Sequence, residues 1–253
     1  MRRLAVALAL AGISGLLLAP ARRAGAIGEG SLLDLASVIY AGGNWQPRPT
    51  ALRRLAWEVR KRTSIETMLE PSAIRLSAPR LFGKPMLVLS GDRGFPSWPE
   101  ADVTRLRRFL VHGGFLLIDD SSDSTTDFDA AVRRELGRVL PGASLAPIPR
   151  DHVLFRTFYL LDRPVGRRTT PSDLAGIERD GRLVVVYSRL DLAGAWARDN
   201  FGNWEHEVLP GGEEQRERAF RLGVNVAMYA LCLGYKADQV HVPFILGRSS
   251  RRP

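Results

Sequence analysis

The chain has 253 residues, enough for one large domain or two small ones with a substantial core. Its apolar fraction of 45% and charged fraction of 25% are ordinary, so composition indicates a globular protein. The net charge of +9 is carried by arginines spread along the chain and not clustered with aromatic residues, which disfavours a nucleic-acid-binding surface. A single cysteine excludes an intrachain disulfide.

Residues 1–26 have the pattern of a secretory signal peptide. Met1-Arg2-Arg3 is a short basic region, residues 4–19 form an apolar segment too short for a membrane span, and small residues follow it. We expect cleavage after Ala26, with Ala21 as the second choice, which leaves a mature charge of about +5. No cysteine follows the apolar segment, as a bacterial lipoprotein would require. We therefore expect a periplasmic or secreted protein whose mature chain has no transmembrane anchor.

Residues 27–247 predict a single α/β domain, because short apolar runs alternate with longer segments that have one apolar face. The predicted strands cover about residues 35–40, 73–76, 86–90, 115–118 and 183–187. The predicted helices cover about residues 50–62, 98–112, 127–140 and 213–231.

Several segments between or within these elements have signals of their own. Ser97 and Glu100 have the spacing of a capping box, and Thr126 is a second expected helix cap. Residues 147–171 break the alternation and predict an excursion packed on the domain. Residues 248–253 predict a disordered basic tail.

The strand at 115–118 is expected at the centre of the sheet. Its run of Phe, Leu, Leu and Ile has no polar alternation, which is typical of a strand covered on both faces in a parallel sheet. In such sheets ligands bind where the carboxyl ends of strands open into loops. Here that end carries Asp119, Asp120 and Asp123, so we expect any active or binding site there.

Several motifs of the chain occur together in one known family. They are Tyr40-Ala-Gly-Gly-Asn-Trp45, Gly113-Gly-Phe-Leu-Leu-Ile-Asp-Asp120, Phe201-Gly-Asn-Trp204 and residues 221–231 with 235–241. Over about residues 37–243 the chain resembles the bacterial family called domain of unknown function 4159. The resemblance implies a class I glutamine-amidotransferase-like fold, which is a flavodoxin-like three-layer sandwich, and a place in envelope-associated proteins. It implies no activity and no catalytic residues.

Amidotransferase chemistry is not predicted. It needs a cysteine on a sharp turn after a central strand, with a histidine base. Cys232 instead falls at the end of the last predicted helix, where a small buried apolar residue is expected. Ser121 could serve as a nucleophile with His206 or His241, but the acidic neighbours disfavour an oxyanion, and a loop hydroxyl that bonds backbone groups is the favoured interpretation.

Three aspartates and a serine after the central strand are also candidate metal ligands. Asp119, Asp120 and Asp123 with Ser121 would suit Ca²⁺ or Mg²⁺, and an added histidine would permit Zn²⁺ or Mn²⁺. The favoured interpretation is structural: one aspartate caps the following helix and others bond the turn at Gly42-Gly43. We therefore predict no metal or other cofactor.

Aromatic and amide side chains offer a binding surface. Trp45, Trp196 and Trp204 are either an exposed platform for a sugar ring or, as we favour, a buried roof over the sheet edge. Asn225 is expected to be a core amide that ties the last helix to a loop.

We predict a non-catalytic binding or scaffolding module of the bacterial cell envelope, with a protein or a glycan as partner. Its ligand would lie over the carboxyl ends of the strands. The predicted contacts are Asn44, Trp45, Asp92, Asp120 and Trp204. The alternative is a carbohydrate-active or other hydrolase, with or without a metal, whose catalytic candidates are Asp119, Asp120, Ser121 and His206.

Overall fold

The computed structural model describes residues 32–123, 125–169 and 174–249, without the side chains of residues 233–249. Within these residues, seven strands form one sheet and five α-helices accompany it. The predicted α/β fold with a mostly parallel sheet is therefore confirmed. The predicted signal peptide and residues 250–253 of the predicted tail lie outside the described residues.

Strand and helix bounds are as follows. The strands are β1 (Leu35–Ile39), β2 (Ala73–Arg75), β3 (Met86–Gly91), β4 (Phe115–Asp120), β5 (Ala146–Pro147), β6 (Ala175–Arg179) and β7 (Arg182–Ser188). The helices are α1 (Ala51–Arg62), α2 (Glu100–Val111), α3 (Asp127–Val139), α4 (Leu192–Trp196) and α5 (Gly212–Ser249). Two short 3₁₀ turns cover Pro79–Gly83 and Val153–Arg156.

The order of the strands across the sheet is β2-β1-β3-β4-β7-β6-β5. The first five are mutually parallel, whereas β6 and β5 are antiparallel additions at one side. The chain forms β2 on one side of β1 and then β3 on the other. The direction in which strands are added therefore reverses between β1 and β3. The position between the carboxyl ends of these two strands is called a topological switch point, and α/β sheets commonly bind ligands there.

Each face of the sheet is covered by a separate apolar layer. Consecutive β4 residues point to opposite faces, so Leu117 packs in the layer formed with α1, α4 and α5, and Leu116 in the layer formed with α2 and α3. Both layers are buried, which explains the absence of polar alternation in β4.

The predicted capping box is wrong, whereas Thr126 does occupy the predicted N-cap position of α3 but makes no side-chain cap bond to the described residues. Helix α2 begins at Glu100 after Pro99, and α3 begins after Thr126; within the described chain neither has a side-chain hydrogen bond at its N-cap residue. Glu100 is the first residue of α2 and not the third, so it cannot form a capping box with Ser97, and its carboxylate binds Arg138 of α3 at 3.0 Å. A tertiary ion pair has replaced the local bond that the spacing indicated.

Sequence reasoning missed three elements, β5, β6 and α4. Strand β6 forms a hairpin with β7 through Asp180 and Gly181, both with positive φ (52° and 72°). An Asp-Gly pair is a strong signal for a tight hairpin turn, so this strand had a readable mark. The two-residue β5 and five-residue α4 are too short to produce a periodic pattern.

Helix α5 confirms one prediction and corrects another. The Asn225 carboxamide accepts hydrogen bonds from the amides of Phe158 and Tyr159 (3.2 and 2.7 Å) and donates to the carbonyls of Leu154 and Tyr159 (3.0 and 2.9 Å). It is the satisfied core amide that the sequence predicted. Cys232, predicted to be buried at the helix end, is exposed, and the helix continues past it to Ser249.

Among the described residues, no helix combines the length and the apolar character needed to cross a membrane.

Candidate functional site

The candidate site lies at the carboxyl edge of the parallel strands, and its polar residues divide between the two faces of the sheet. On the face covered by α1 and α4, Ser90, Asp119 and Ser188 are paired side by side across β3, β4 and β7. Asp120 follows Asp119 in β4 and therefore points to the opposite face. The two aspartates that the sequence predicted together are thus separated by the sheet.

Asp119 is completely buried and is held by the first turn of α4. Its two carboxylate oxygens accept hydrogen bonds from the amides of Leu192 (2.9 Å) and Ala193 (2.8 Å). Burial and the nearby carboxylate of Asp191 raise the pKa of Asp119 to about 7, although these amides and the Ser188 hydroxyl oppose the shift. Burial therefore favours the protonated form of this carboxyl group far more than water does.

Asp191 is a second buried carboxylate and caps α4. It accepts a hydrogen bond from the amide of Gly194 (3.0 Å) and pairs with Arg48 (2.8 Å) and Arg167, and Arg167 also binds Asp123. Burial would raise the pKa of Asp191, but the two guanidinium groups outweigh it and hold the pKa below its usual range. Its backbone is left-handed (φ 50°), a conformation that costs energy in a non-glycine residue and that this network maintains.

Asp120 is engaged on the α3 face of the sheet. Its carboxylate accepts hydrogen bonds from the amide and the hydroxyl of Ser122 and from the Tyr187 hydroxyl (3.2 Å). The Tyr187 hydroxyl also bonds Asp129 at 2.9 Å, and burial together with the charges of Asp120 and Asp129 raises the pKa of Tyr187. Asp120 therefore fixes the turn after β4 and is linked to α3 through Tyr187, whereas it does not make the expected aspartate bonds to the Gly42-Gly43 turn.

Ser121 and His206 do not form a catalytic pair in the described chain. The Ser121 hydroxyl is buried and has no hydrogen-bond partner there, so the expectation that it bonds backbone groups is wrong. Burial, and to a smaller extent the charge of Arg48, lower the pKa of His206, and the charge of Asp191 opposes this shift. The side chain of His241 lies outside the described residues.

The three aspartates do not converge on one point. Asp119 binds α4, Asp120 binds Ser122 and Tyr187, and Asp123 binds Arg167. Across the described residues, no group of three histidine, cysteine, aspartate or glutamate side chains is arranged to hold a metal ion.

Three of the predicted ligand contacts, Asn44, Asp92 and Trp45, lie near one another at the switch point, but of all five predicted contacts only Trp45 lines the cavity that opens there. The side-chain amide of Asn44 donates to the Asp92 carboxylate at 2.8 Å, which links the loop after β1 to the loop after β3. The Tyr40 hydroxyl supports the same link by donating to the carbonyls of Asn44 (3.0 Å) and Ser90 (2.8 Å). Trp45 follows directly and is half-buried.

The loop after β1 can take this path because Gly42 has no side chain. Its φ is +77°, and a Cβ there would lie 2.3 Å from Cδ of Pro96. The absence of a side chain at Gly42 therefore permits the close approach of this loop to Pro96.

A cavity of about 290 Å³ opens beside Trp45, and we call it the switch-point cavity. Its floor is formed by the sheet itself, through Ser37 of β1 and Ser90 of β3, and Ala193 of α4 contributes to one wall. The rest of the lining is mostly polar and comes from the loop after β1, from α1, and from two further loops. Those residues include Gln46, Arg48, Thr50, Arg53, Glu70 and Asn200.

Two of the predicted tryptophans lie elsewhere. Trp196 is fully buried, as favoured, and its indole N–H donates to the carbonyl of Ala219 at 3.0 Å. Trp204 is half-buried between the guanidinium groups of Arg198 and Arg216, at 4.9 and 4.3 Å from its ring centre. Neither tryptophan lines the switch-point cavity.

Comparison with known proteins identifies the family. The family model described as "Domain of unknown function (DUF4159)" matches residues 34–231. The chain belongs to this family. The match spans all seven strands and ends inside α5. No curated protein matches the chain significantly.

The DUF4159 domain has functional candidates that sequence reasoning missed. Arg48 lines the cavity and binds Asp191, and Arg167 binds Asp191 from another loop. Arg48 is 143 positions from Asp191 in the sequence, and Arg167 lies in an irregular loop, so no local spacing indicated that they meet. The one sign in the sequence was the residue type, since aspartate is favoured at helix N-caps.

Proposed function

We propose that this DUF4159 domain is a non-catalytic binding module of the bacterial cell envelope and that its ligand occupies the switch-point cavity. The observation that carries the proposal is a polar, tryptophan-flanked cavity at the switch point, next to carboxylates that are already engaged. Its volume of about 290 Å³ is at the lower end of the range for small-molecule sites. The ligand is therefore a small polar molecule or one unit of a larger one.

The strand order supports a flavodoxin-like arrangement. The five parallel strands follow the order β2-β1-β3-β4-β7, which corresponds to the 2-1-3-4-5 order of flavodoxin-like sheets. In this arrangement, which we propose to be amidotransferase-like, the turn after β4 has Ser121 and Ser122 and no cysteine. The proposal therefore includes an amidotransferase-like frame without glutaminase chemistry.

The bonding of the rim carboxylates favours binding over hydrolysis. A pair of acid and base groups must reach the substrate, but Asp119 is closed off by two α4 amides and Asp191 by two arginines. Asp120 faces the other side of the sheet and bonds Tyr187. Among the described residues that line the cavity, Glu70 is the only carboxylate, so a second acid or base group is lacking there. The other exposed polar side chains, such as Gln46, Arg53 and Asn200, offer hydrogen bonds.

The envelope location rests on the leader pattern of residues 1–26. Expression of the full chain in a bacterial host, followed by fractionation and N-terminal sequencing, tests this part. A mature N-terminus after Ala26 or Ala21 in the periplasm or medium supports it, and an intact Met1 in the cytoplasm contradicts it.

The cavity is tested by thermal-shift screening of purified protein against small polar compounds and glycan fragments. Ser37→Leu places an apolar side chain on the cavity floor, and Trp45→Ala removes one side of the cavity. Both should abolish the stabilisation by any compound that binds. Phe82→Ala, which removes an exposed aromatic ring that does not line the cavity, should leave it unchanged.

Two results would contradict the proposal. The first is ligand stabilisation that persists in Ser37→Leu, which would place the ligand elsewhere. The second is release of a chemically altered product from the bound compound, which would support the hydrolase instead.

A further inference from the structure

A second cavity of about 490 Å³ adjoins the switch-point cavity, and we call it the side groove. It lies between α1 and the loop at residues 198–202. The two cavities share four lining residues: Thr50, Arg53, Glu70 and Asn200. They are therefore neighbouring compartments on one surface.

Of the four shared side chains, Arg53 and Glu70 are exposed and weakly held. Arg53 donates to the side-chain oxygen of Asn200 at 2.7 Å and lies 3.8 Å from the Glu70 carboxylate. The side chains of Arg53 and Glu70 are 42% and 83% exposed. An ion pair this exposed contributes little to stability, so a ligand can displace Glu70 from Arg53 at low cost.

The far side of the groove has an aromatic ring held in solvent by a closely bonded loop. Phe201 is 92% exposed. Asp199 accepts hydrogen bonds from the amides of Phe201 (2.9 Å) and Asn203 (2.7 Å), and residues Arg198 and Trp204 pair as an antiparallel bridge. Trp57 and Leu69, which line the same groove, are also exposed (38% and 37%), so Phe201 belongs to a group of exposed apolar side chains, which marks a binding surface better than a single exposed ring does.

The wall formed by α1 adds a second aromatic surface and positive charge. Trp57 is 38% exposed, with the guanidinium group of Arg54 lying 4.2 Å from its ring centre. Arg53, Arg54 and Arg198 line the groove, against Glu70 and Asp199. Arg54 pairs with Glu58, and Arg198 donates to the carbonyl of Gly202, so Arg53 is the guanidinium group most available to an anionic ligand.

We propose that the two compartments together bind an oligosaccharide with carboxylate groups. One sugar unit occupies the switch-point cavity, and the following units extend along the side groove past Arg53 to Trp57 and Phe201. This inference rests on the proposed function, because it assigns a ligand class to the same cavity and extends the site beyond it.

The chemistry of the lining selects this ligand class. Sugar rings have apolar faces that pack on aromatic rings and hydroxyl groups that bond to amides, hydroxyls and arginines. Both compartments offer this mixture, through Trp45 with Ser37 and Ser90 in the first and Phe201 with Thr50 in the second. A carboxylate on the ligand would pair with Arg53 through the planar geometry that guanidinium groups favour.

Titration calorimetry of the purified full chain tests the proposal with three probes: galacturonic acid, its tetramer, and the uncharged glucose tetramer. The acidic tetramer should bind at least about tenfold more tightly than the acidic monomer, because its later units add contacts without a second association step. Phe201→Ser and Arg53→Gln should each reduce that ratio about threefold or more. Phe82→Ser, which changes an exposed aromatic ring outside both cavities, should leave the ratio unchanged.

The possible failures point to different errors. Equal affinity for the acidic monomer and tetramer overturns the extended site but leaves the switch-point cavity and the proposed function intact. Equal affinity for the two tetramers overturns the assignment of an acidic ligand. In a third outcome, none of the three probes binds, but another compound stabilises the wild type and does not stabilise Ser37→Leu. The saccharide assignment is then wrong, and the proposed function stands.

Discussion

Asp119 and Asp191 are neighbouring buried carboxyl groups whose pKa values move in opposite directions. Burial and the Asp191 charge raise the pKa of Asp119 from its usual 3.8 to about 7, whereas Arg48 and Arg167 overcome burial and lower the pKa of Asp191. A group with a raised pKa binds its proton more tightly in the folded chain. The contribution of Asp119 to stability is therefore fully present below about pH 4 and is lost as the pH rises towards 7. The contribution of Asp191 is present above pH 3.8 and is lost as the pH falls below it.

Replacement of Asp119 by asparagine should remove this pH dependence. The difference in unfolding free energy, wild type minus Asp119→Asn, should fall between about pH 4.5 and 7.5, with a slope of at most about 1.4 kcal/mol per pH unit for one proton. Urea unfolding of both proteins at several pH values measures it. His152 and His206, whose pKa values are lowered, are present in both proteins, so their effects cancel in the difference. A difference that is constant with pH would show that Asp119 is ionised throughout.

At the level of single residues, a pairing of two side chains could be predicted where regular strands fix the positions of both partners, and not where irregular loops bring them together. The switch-point pair Asn44 and Asp92 could be predicted to lie together, because both follow parallel strands that end at the same sheet edge. The separation of Asp119 from Asp120 also follows from the two-residue period of a strand, which the grouping of the aspartates overlooked. The pairing of Arg48 and Arg167 with Asp191 could not be predicted, since it depends on how three loops fold over the edge.

Two helical glycines differ in what surrounds them, and this gives a prediction for the elements that contain them. A Cβ added at Gly137 in α3 would meet no atom of another element within 4 Å, whereas a Cβ at Gly223 in α5 would lie 2.6 Å from Leu55 and 2.8 Å from Trp196. Gly223 therefore sets the distance at which α5 packs against α1 and α4. The same substitution should have opposite effects at the two sites.

Gly137→Ala should stabilise the protein by about 0.5–1 kcal/mol, because alanine favours the helix and loses less backbone entropy. Gly223→Ala should destabilise it by about 1–3 kcal/mol, because the methyl group must push α5 away from α1 and Trp196. Chemical denaturation of the two variants beside the wild type measures both effects. Stabilisation by both substitutions would mean that helix propensity outweighs packing and that α5 is not held closely at Gly223.

At the level of elements, long periodic segments were predicted well and short ones were not. The predicted extents of β1, β3, α1 and α3 differ from those observed by one residue or so at either end. Helix α4 has only five residues, and its first turn is held by Asp119. Asp119 lies 73 residues before Leu192, the residue that it binds, so the interaction that positions α4 is not local in the sequence. A segment whose structure is set by a distant partner has no local period to detect.

For the whole molecule, the sequence predicted a mostly parallel sheet but not the antiparallel addition of β5 and β6. The continuous apolar runs of β3, β4 and β7 indicate strands covered on both faces, and the two apolar layers account for that pattern. In β6, Gly176 and the pair Glu178-Arg179 interrupt the apolar pattern. Glu178 and Arg179 are exposed at the end of β6, which permits charged side chains there.

The two apolar layers share one sheet, which leads to a prediction about how the molecule unfolds. Leu116 and Leu117 are consecutive, almost completely buried residues of β4 that point into different layers. Truncation of either to alanine removes the same atoms from the same strand, and should destabilise the protein by about 2–5 kcal/mol. Because β4 pairs with β3 and β7 in the middle of the sheet, loss of packing on one face should disrupt the other as well.

Leu116→Ala and Leu117→Ala should therefore each unfold in a single transition. Tryptophan fluorescence and far-ultraviolet circular dichroism should give the same midpoint urea concentration for that transition. The dependence of the unfolding free energy on urea concentration should equal that of the wild type. The tryptophans divide between the layers, since Trp98 belongs to the layer of α2 and α3 and Trp196 to the other, so fluorescence reports on both. If either variant shows two transitions, the layers unfold separately, and the sheet does not couple them. A single shifted transition in both variants would show that β4 joins the two layers into one cooperative unit.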